Sequence, residues 1–127
     1  MLKKEILRRN SDFSSIYKKG KSVGDRFVVL FFRKNKLPYN RIAFLASKKV
    51  GNSVTRNRAR RLMKESYRQI CDELAVGYDI IFIARKTIIN TKYADVKKSI
   101  EAAARRAGIL KRQPKAAACP KEIRQQT

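Results

Sequence analysis

Residues 47–68 read SKKVGNSVTRNRARRLMKESYR, and the first sixteen of them hold six cations and no acid. Asn52 or Ser53 is placed to cap a helix that runs to about Cys71. At about 100° per residue from Arg56, Ala59, Leu62, Met63, Ser66 and Ile70 fall within roughly 240–340°, a burying face, while Arg58, Arg60, Arg61, Lys64 and Arg68 spread over about 40–200°. Helix surfaces built for solubility mix signs, whereas this one sets Glu65 alone among Arg56, Arg58, Arg60, Arg61, Lys64 and Arg68. Cations three or four apart repel by tenths of a kcal/mol per pair, and an external anion relieves that cost. Arginine outnumbers lysine here, and its planar fork suits phosphate and base stacking. Gly51 permits a tight approach of backbone to a ligand, and the open N–H groups of the first turn add to Lys48 and Lys49. Asn57 suits RNA sugar or base edges; equally, its amide suits backbone groups near the helix start.

Strands flank this helix on both sides. RFVVLFFR, residues 26–33, is aromatic and β-branched, with Phe27, Val29 and Phe31 on one face and Val28, Leu30 and Phe32 on the other. Both faces are apolar, so both need a cover. KNKLPYN, residues 34–40, has the composition of a hairpin loop, and RIAFLASK then reads as an antiparallel partner strand ending near Ser47. Beyond the basic helix, YDIIFIAR, residues 78–85, is a further long strand. A short strand near Lys21 and Ser22 is compatible with the sequence. At the amino end, Asn10 or Ser11 caps a short helix carrying Phe13, Ile16 and Tyr17, and Gly20 ends it. At the other end, Thr91 caps a helix with Tyr93, Val96, Ile100, Ala103, Ala104 and Ala107 at helical spacing, and Gly108 follows it. The remainder carries two prolines and no periodicity, which predicts one domain over residues 1–109 and a basic tail over 110–127.

Composition narrows the partner. The 127 residues are 43% apolar, enough for a real core, yet 32 Lys and Arg against 10 Asp and Glu leave a formal charge of +22. Such a charge attracts polyanions within a Debye length of about 8 Å. Nucleic acid fits better than a membrane, because no apolar run approaches the roughly 20 residues of a spanning helix. The start is too polar for a signal peptide, so a cytoplasmic protein is expected. Cys71 and Cys119 are isolated and histidine is absent, which argues against zinc and gives no ground for pairing the two cysteines. Apart from the neighbours Asp72 and Glu73 the acids are scattered, with no pair at metal-ligand spacing, so hydrolytic groups are not expected in the chain.

On these residues the chain resembles the bacterial ribonuclease P protein subunit, whose hallmark Arg-Asn-Arg is matched by Arg56, Asn57 and Arg58. The resemblance covers about residues 3–108, because SDFSSIYKKGKS, RFVVLFF, the RIAF strand and DIIFIAR follow in the family's order. It implies an α+β fold: a single-domain α/β sandwich of order αβββαβα, of the ribosomal-protein-S5-domain-2 type, with a βαβ crossover of the unusual left hand. It also implies a protein that joins a catalytic RNA in removing the 5′ leader of precursor transfer RNA. Magnesium ions would be held mainly by that RNA and none by the protein alone, and no obligate protein partner is expected.

Carried over by position, Lys48, Lys49, Gly51, Asn52, Arg56, Asn57, Arg58, Arg60, Arg61, Lys64 and Arg68 would face the catalytic RNA. Phe13, Tyr17, Phe27 and Phe31 would line a cleft for the single-stranded leader, where bases stack on rings at about 1–3 kcal/mol each. The same ring spacings also suit a plain core. Ala43 and Ala46 depart from the glycine and valine more usual in the family, and Phe31 from a tyrosine. The alternative is a ribosomal or other structural RNA-binding protein without a processing role. A helix-turn-helix reading lacks the paired helix across a short turn.

Overall fold

A strand with large apolar residues on both faces needs a layer on each side, and the chain supplies helices for both. The computed structural model describes residues 5–7 and 9–110. In chain order these form α1 (Asn10–Lys19), β1 (Lys21–Gly24), β2 (Val28–Lys34), β3 (Arg41–Leu45), α2 (Ser53–Ile70), β4 (Tyr78–Ala84) and α3 (Tyr93–Ala107), the αβββαβα order expected. One sheet results, in the order β1-β2-β4-β3, with β1/β2 and β2/β4 antiparallel and β3/β4 parallel across the α2 crossover.

The predicted hairpin is corrected here. β2 and β3 do run in opposite directions, but β4 lies between them, so they share no ladder. The connecting segment crosses the start of β4 and bonds to that strand instead. Asn35 N–H donates to the Gly77 carbonyl at 2.8 Å, and Asn35 Nδ2 donates to Asp79 at 2.9 Å. Asn40 Nδ2 donates to the Ala75 carbonyl at 2.9 Å, and its Oδ1 accepts the Tyr78 N–H at 2.9 Å. Two side-chain amides thus fasten the connecting segment to the start of β4.

One face of the sheet is covered by two helices. Val28, Leu30, Phe32, Ile42, Ile80 and Phe82 pack against Ala59, Met63, Tyr67 and Ile70 of α2 and Val96, Ile100, Ala103 and Ala104 of α3. Full burial of such side chains contributes about 1.5–3 kcal/mol each. Tyr67 is an addition to the face read from periodicity, while Leu62 is only partly buried.

Among the described residues the opposite face is covered by one helix, α1, ten residues and about 15 Å long, and by Leu7 ahead of it. The helix buries Ile16 over Ala43 and Ile81, with Leu7 beside them, and leaves Val29, Phe31, Leu45 and Ile83 half-buried. Gly20 lets its far end close down: a Cβ there would meet the Phe32 carbonyl oxygen at 2.6 Å and that of Ile16 at 2.5 Å.

Both outer caps differ from expectation. α1 starts from Arg9 with no side-chain cap, so Asn10 is already helical, and α3 starts from Lys92. The Thr91 hydroxyl donates back to the Ile88 carbonyl at 2.6 Å, which takes it away from capping. Gly108, with φ of 81°, ends α3 as expected. Ile109 is buried, its carbonyl accepts from Ala75 N–H, and Leu110 pairs with Leu74. The rest of the expected tail, with Cys119, lies outside the described residues. No described helix is long and apolar enough to cross a membrane.

Candidate nucleic-acid interface

The turn into α2 is built from side chains that leave its cations outside. Val50 is buried at 2% exposure and anchors the turn, so Lys48 and Lys49 face solvent. Gly51 adopts φ of 152°, and a Cβ there would meet Thr55 Cβ at 3.0 Å. The fold itself therefore requires this glycine, with or without a ligand. Asn52 Oδ1 accepts the Thr55 N–H at 3.0 Å, the cap expected, and fills one of the four open donors of the first turn.

The three residues of Arg-Asn-Arg diverge. Arg56 folds back on the helix start, donating to the Asn52 carbonyl at 3.4 Å and to Ser53 Oγ at 3.2 Å. Arg58 reaches sideways and donates to the Thr91 carbonyl at 2.5 Å, tying α2 to the segment before α3. Asn57 turns its Oδ1 to Arg60, 2.5 Å away, so its amide organises a neighbouring guanidinium rather than the backbone. Further along, Arg68 pairs with Glu65 at 3.6 Å, both partners more than a third exposed. Such a pair contributes at most about 1 kcal/mol. The side chains of Lys48, Lys49, Arg61 and Lys64 have no hydrogen bond or ion pair among the described residues.

This cationic flank forms one wall of a groove of about 720 Å³. Asn57, Arg60, Arg61 and Lys64 line the wall, with Val54 beside them at 74% exposure. The floor is the outer side of β3, an edge strand, from Ile42 to Leu45. Ile6, Leu7 and Phe13 close the far side, where Leu7 N–H donates to the Ile42 carbonyl at 2.9 Å. An apolar floor under guanidinium and ammonium groups suits a ligand with flat apolar faces joined by anions.

Residues expected on two surfaces therefore share one groove, since Phe13 faces the same space as Arg60, Arg61 and Lys64. Tyr17, one turn further along α1, and Phe31 of β2 form an edge-to-face pair with centroids 5.0 Å apart. Tyr17 is 43% exposed, and partial burial pushes its hydroxyl up from the usual tyrosine range. Phe27 does not join them. It precedes β2, packs against the α2/α3 core, carries the Arg26 guanidinium 5.4 Å above its ring, and donates its N–H to Ser99 Oγ at 3.2 Å. Strand alternation failed for Phe27 because the ladder begins one residue later.

Beneath α1 lies a polar constellation that the sequence did not disclose. Asp79, 4% exposed on β4, accepts from Arg41 Nε at 2.8 Å and from a terminal nitrogen of Arg41 at 2.7 Å. These hydrogen bonds hold the Arg41 guanidinium above its ordinary range. Another Arg41 nitrogen lies 3.5 Å from the Asp12 carboxylate. The signal was a charge at the head of two apolar strands, and it gains meaning only when β3 and β4 are known to be neighbours. No group of three His, Cys, Asp or Glu among the described residues could hold a metal ion.

The family model Ribonuclease P matches residues 1–108. The ribonuclease P protein component of Clostridioides difficile (strain 630) is 45% identical over 104 residues, covering 81% of this chain and 91% of that protein. Among solved structures, the RNase P protein of Staphylococcus aureus superposes with a TM-score of 0.77 at 32% identity, covering 84% of this chain and 97% of that one. The RNase P protein of Thermotoga maritima gives 0.74 at 30% identity, covering 80% and 96%.

Proposed function

The chain belongs to the ribonuclease P protein family, and from that premise we propose that it is the protein component of a ribonuclease P ribonucleoprotein, which removes the 5′ leader from precursor transfer RNA in the cytoplasm. The observation that carries this is the α2 flank, where Lys48, Lys49, Arg61 and Lys64 lack partners among the described residues and Glu65 is the helix's single acid. Free cations in a row are suited to successive phosphates of a folded RNA, and Arg56 and Arg60 are held beside them by Ser53 and Asn57.

The groove and the rings of Phe13, Tyr17 and Phe31 take the single-stranded leader. Bases lie against the apolar floor and the rings, and the backbone lies toward Arg60, Arg61 and Lys64. Phosphodiester hydrolysis belongs to the RNA subunit, whose magnesium ions supply charge stabilisation and an activated water. The chain contributes by holding the leader in place relative to that RNA, an effect of proximity and orientation. Support for this division comes from the sequence, which has no histidine and no pair of acids at metal-ligand spacing. No protein partner is required for the proposed role.

Reconstitution tests the proposal. Added to the catalytic RNA at low magnesium, the purified chain is expected to restore leader removal, and by itself it is expected to cut nothing. Failure to restore cleavage, with tight RNA binding intact, would favour a structural RNA-binding role instead.

A further inference from the structure

Three features meet at the first turn of α1. The helix starts from Arg9 with no capping side chain. Its Asp12 carboxylate lies 3.5 Å from the Arg41 guanidinium. The next residue, Phe13, faces the groove. Arg41 is itself immobilised, because its fork closes on the two oxygens of Asp79, and Asn35 donates a third hydrogen bond to that carboxylate at 2.9 Å. A planar guanidinium bound along one edge presents another in a fixed direction, and Asp12 occupies it.

The rest of α1 is held differently. Ile16, fully buried, sets the distance between helix and sheet, and the close approach of Gly20 to the Phe32 carbonyl pins the far end. Neither contact fixes how the first turn sits over β3. Apolar packing is non-directional, whereas the attraction of the fixed Arg41 charge for Asp12 at 3.5 Å favours one placement of the first turn.

We propose that Arg41 is a positioning residue for single-strand recognition: through Asp12 it fixes the first turn of α1 so that the Phe13 ring stands in the groove. This rests on the assignment of that groove to the leader. Asp12→Asn cuts the tether while leaving the Arg41–Asp79 fork in place, and both tether partners are about a quarter exposed, so the fold survives the change.

The test uses the full chain assembled with the catalytic RNA, and measures binding of a precursor transfer RNA with its leader and of the same transfer RNA without one. Asp12→Asn is expected to weaken binding of the leader-bearing substrate about 3-fold, the scale of a partly exposed ion pair. Binding of the leaderless substrate and assembly with the catalytic RNA are expected to stay unchanged, with Tm lowered by a few degrees at most. Added to Phe13→Ala, Asp12→Asn is expected to cost nothing further, since both act through one ring. Unchanged or tighter binding of the leader-bearing substrate by Asp12→Asn would overturn the proposal, the second by showing that Asp12 merely repels phosphate. Full additivity with Phe13→Ala would overturn it as well. A wild-type assembly that binds both substrates equally would overturn the groove assignment and this proposal together.

Discussion

α2 and α3 lie against the same face of the sheet and contribute to one core, with Ala59, Met63 and Ile70 from the first and Val96, Ile100, Ala103 and Ala104 from the second. Their outer faces obey opposite rules. α3 has Asp95 in its first turn and Arg105 and Arg106 in its last, as the helix dipole favours, and Arg106 pairs with Asp25 at 2.9 Å. α2 has no acid in its first turn and places Arg56 there, with Arg58, Arg60 and Arg61 close behind. Each cation near that positive end costs roughly 0.3–1 kcal/mol. Folding alone explains α3. For α2 it explains the buried stripe and leaves the outer face as a local rule broken without internal compensation, the pattern of a functional surface.

The contrast predicts unequal sensitivity, and charge reversal should reveal it most strongly. Arg61→Glu with Lys64→Glu is expected to lower affinity for the catalytic RNA by two orders of magnitude or more, since each lost phosphate contact is replaced by repulsion, while Lys97→Glu with Lys98→Glu on α3 changes it about 3-fold or less. Filter binding at fixed salt checks both. Equal losses would erase the distinction between the helices.

A smaller effect separates the α2 flank from the rings under α1. Tyr17→Ala is expected to weaken leader-bearing substrate about 10-fold, one base stack's worth, with assembly unchanged. Loss of assembly in that variant would place the ring on the wrong partner. The smallest expected effect runs the other way: Glu65→Gln removes the lone acid of α2 and its exposed pair with Arg68, so RNA binding should tighten about 2-fold, with Tm shifting by a few degrees at most. Weaker binding would show that Glu65 organises Arg68 rather than opposing the ligand.

Much of this contrast was legible in the sequence, because helix and strand periods leave their mark on local spacing. The basic face of α2, the double-sided strand around Leu30 and the order of elements followed from residues a few positions apart. Strand neighbours did not. β4 enters between β2 and β3 from more than thirty residues away, held by the amides of Asn35 and Asn40, which in sequence look like ordinary loop residues. The same distance hid Asp79 beside Arg41, and hence the tether to Asp12. Phe27 and Thr91 failed for a local reason: each lies just outside the element to which periodicity assigned it.

Salt dependence of binding to the catalytic RNA tests most directly whether the cations of α2 and of the turn before it engage phosphates. With roughly six to eight contacts, log affinity should fall against log salt with a slope of about −5 to −7, and Arg61→Ala with Lys64→Ala should make it shallower by about 2. A flat response, or a slope altered by Lys97→Ala and Lys98→Ala but untouched by the α2 pair, would contradict it.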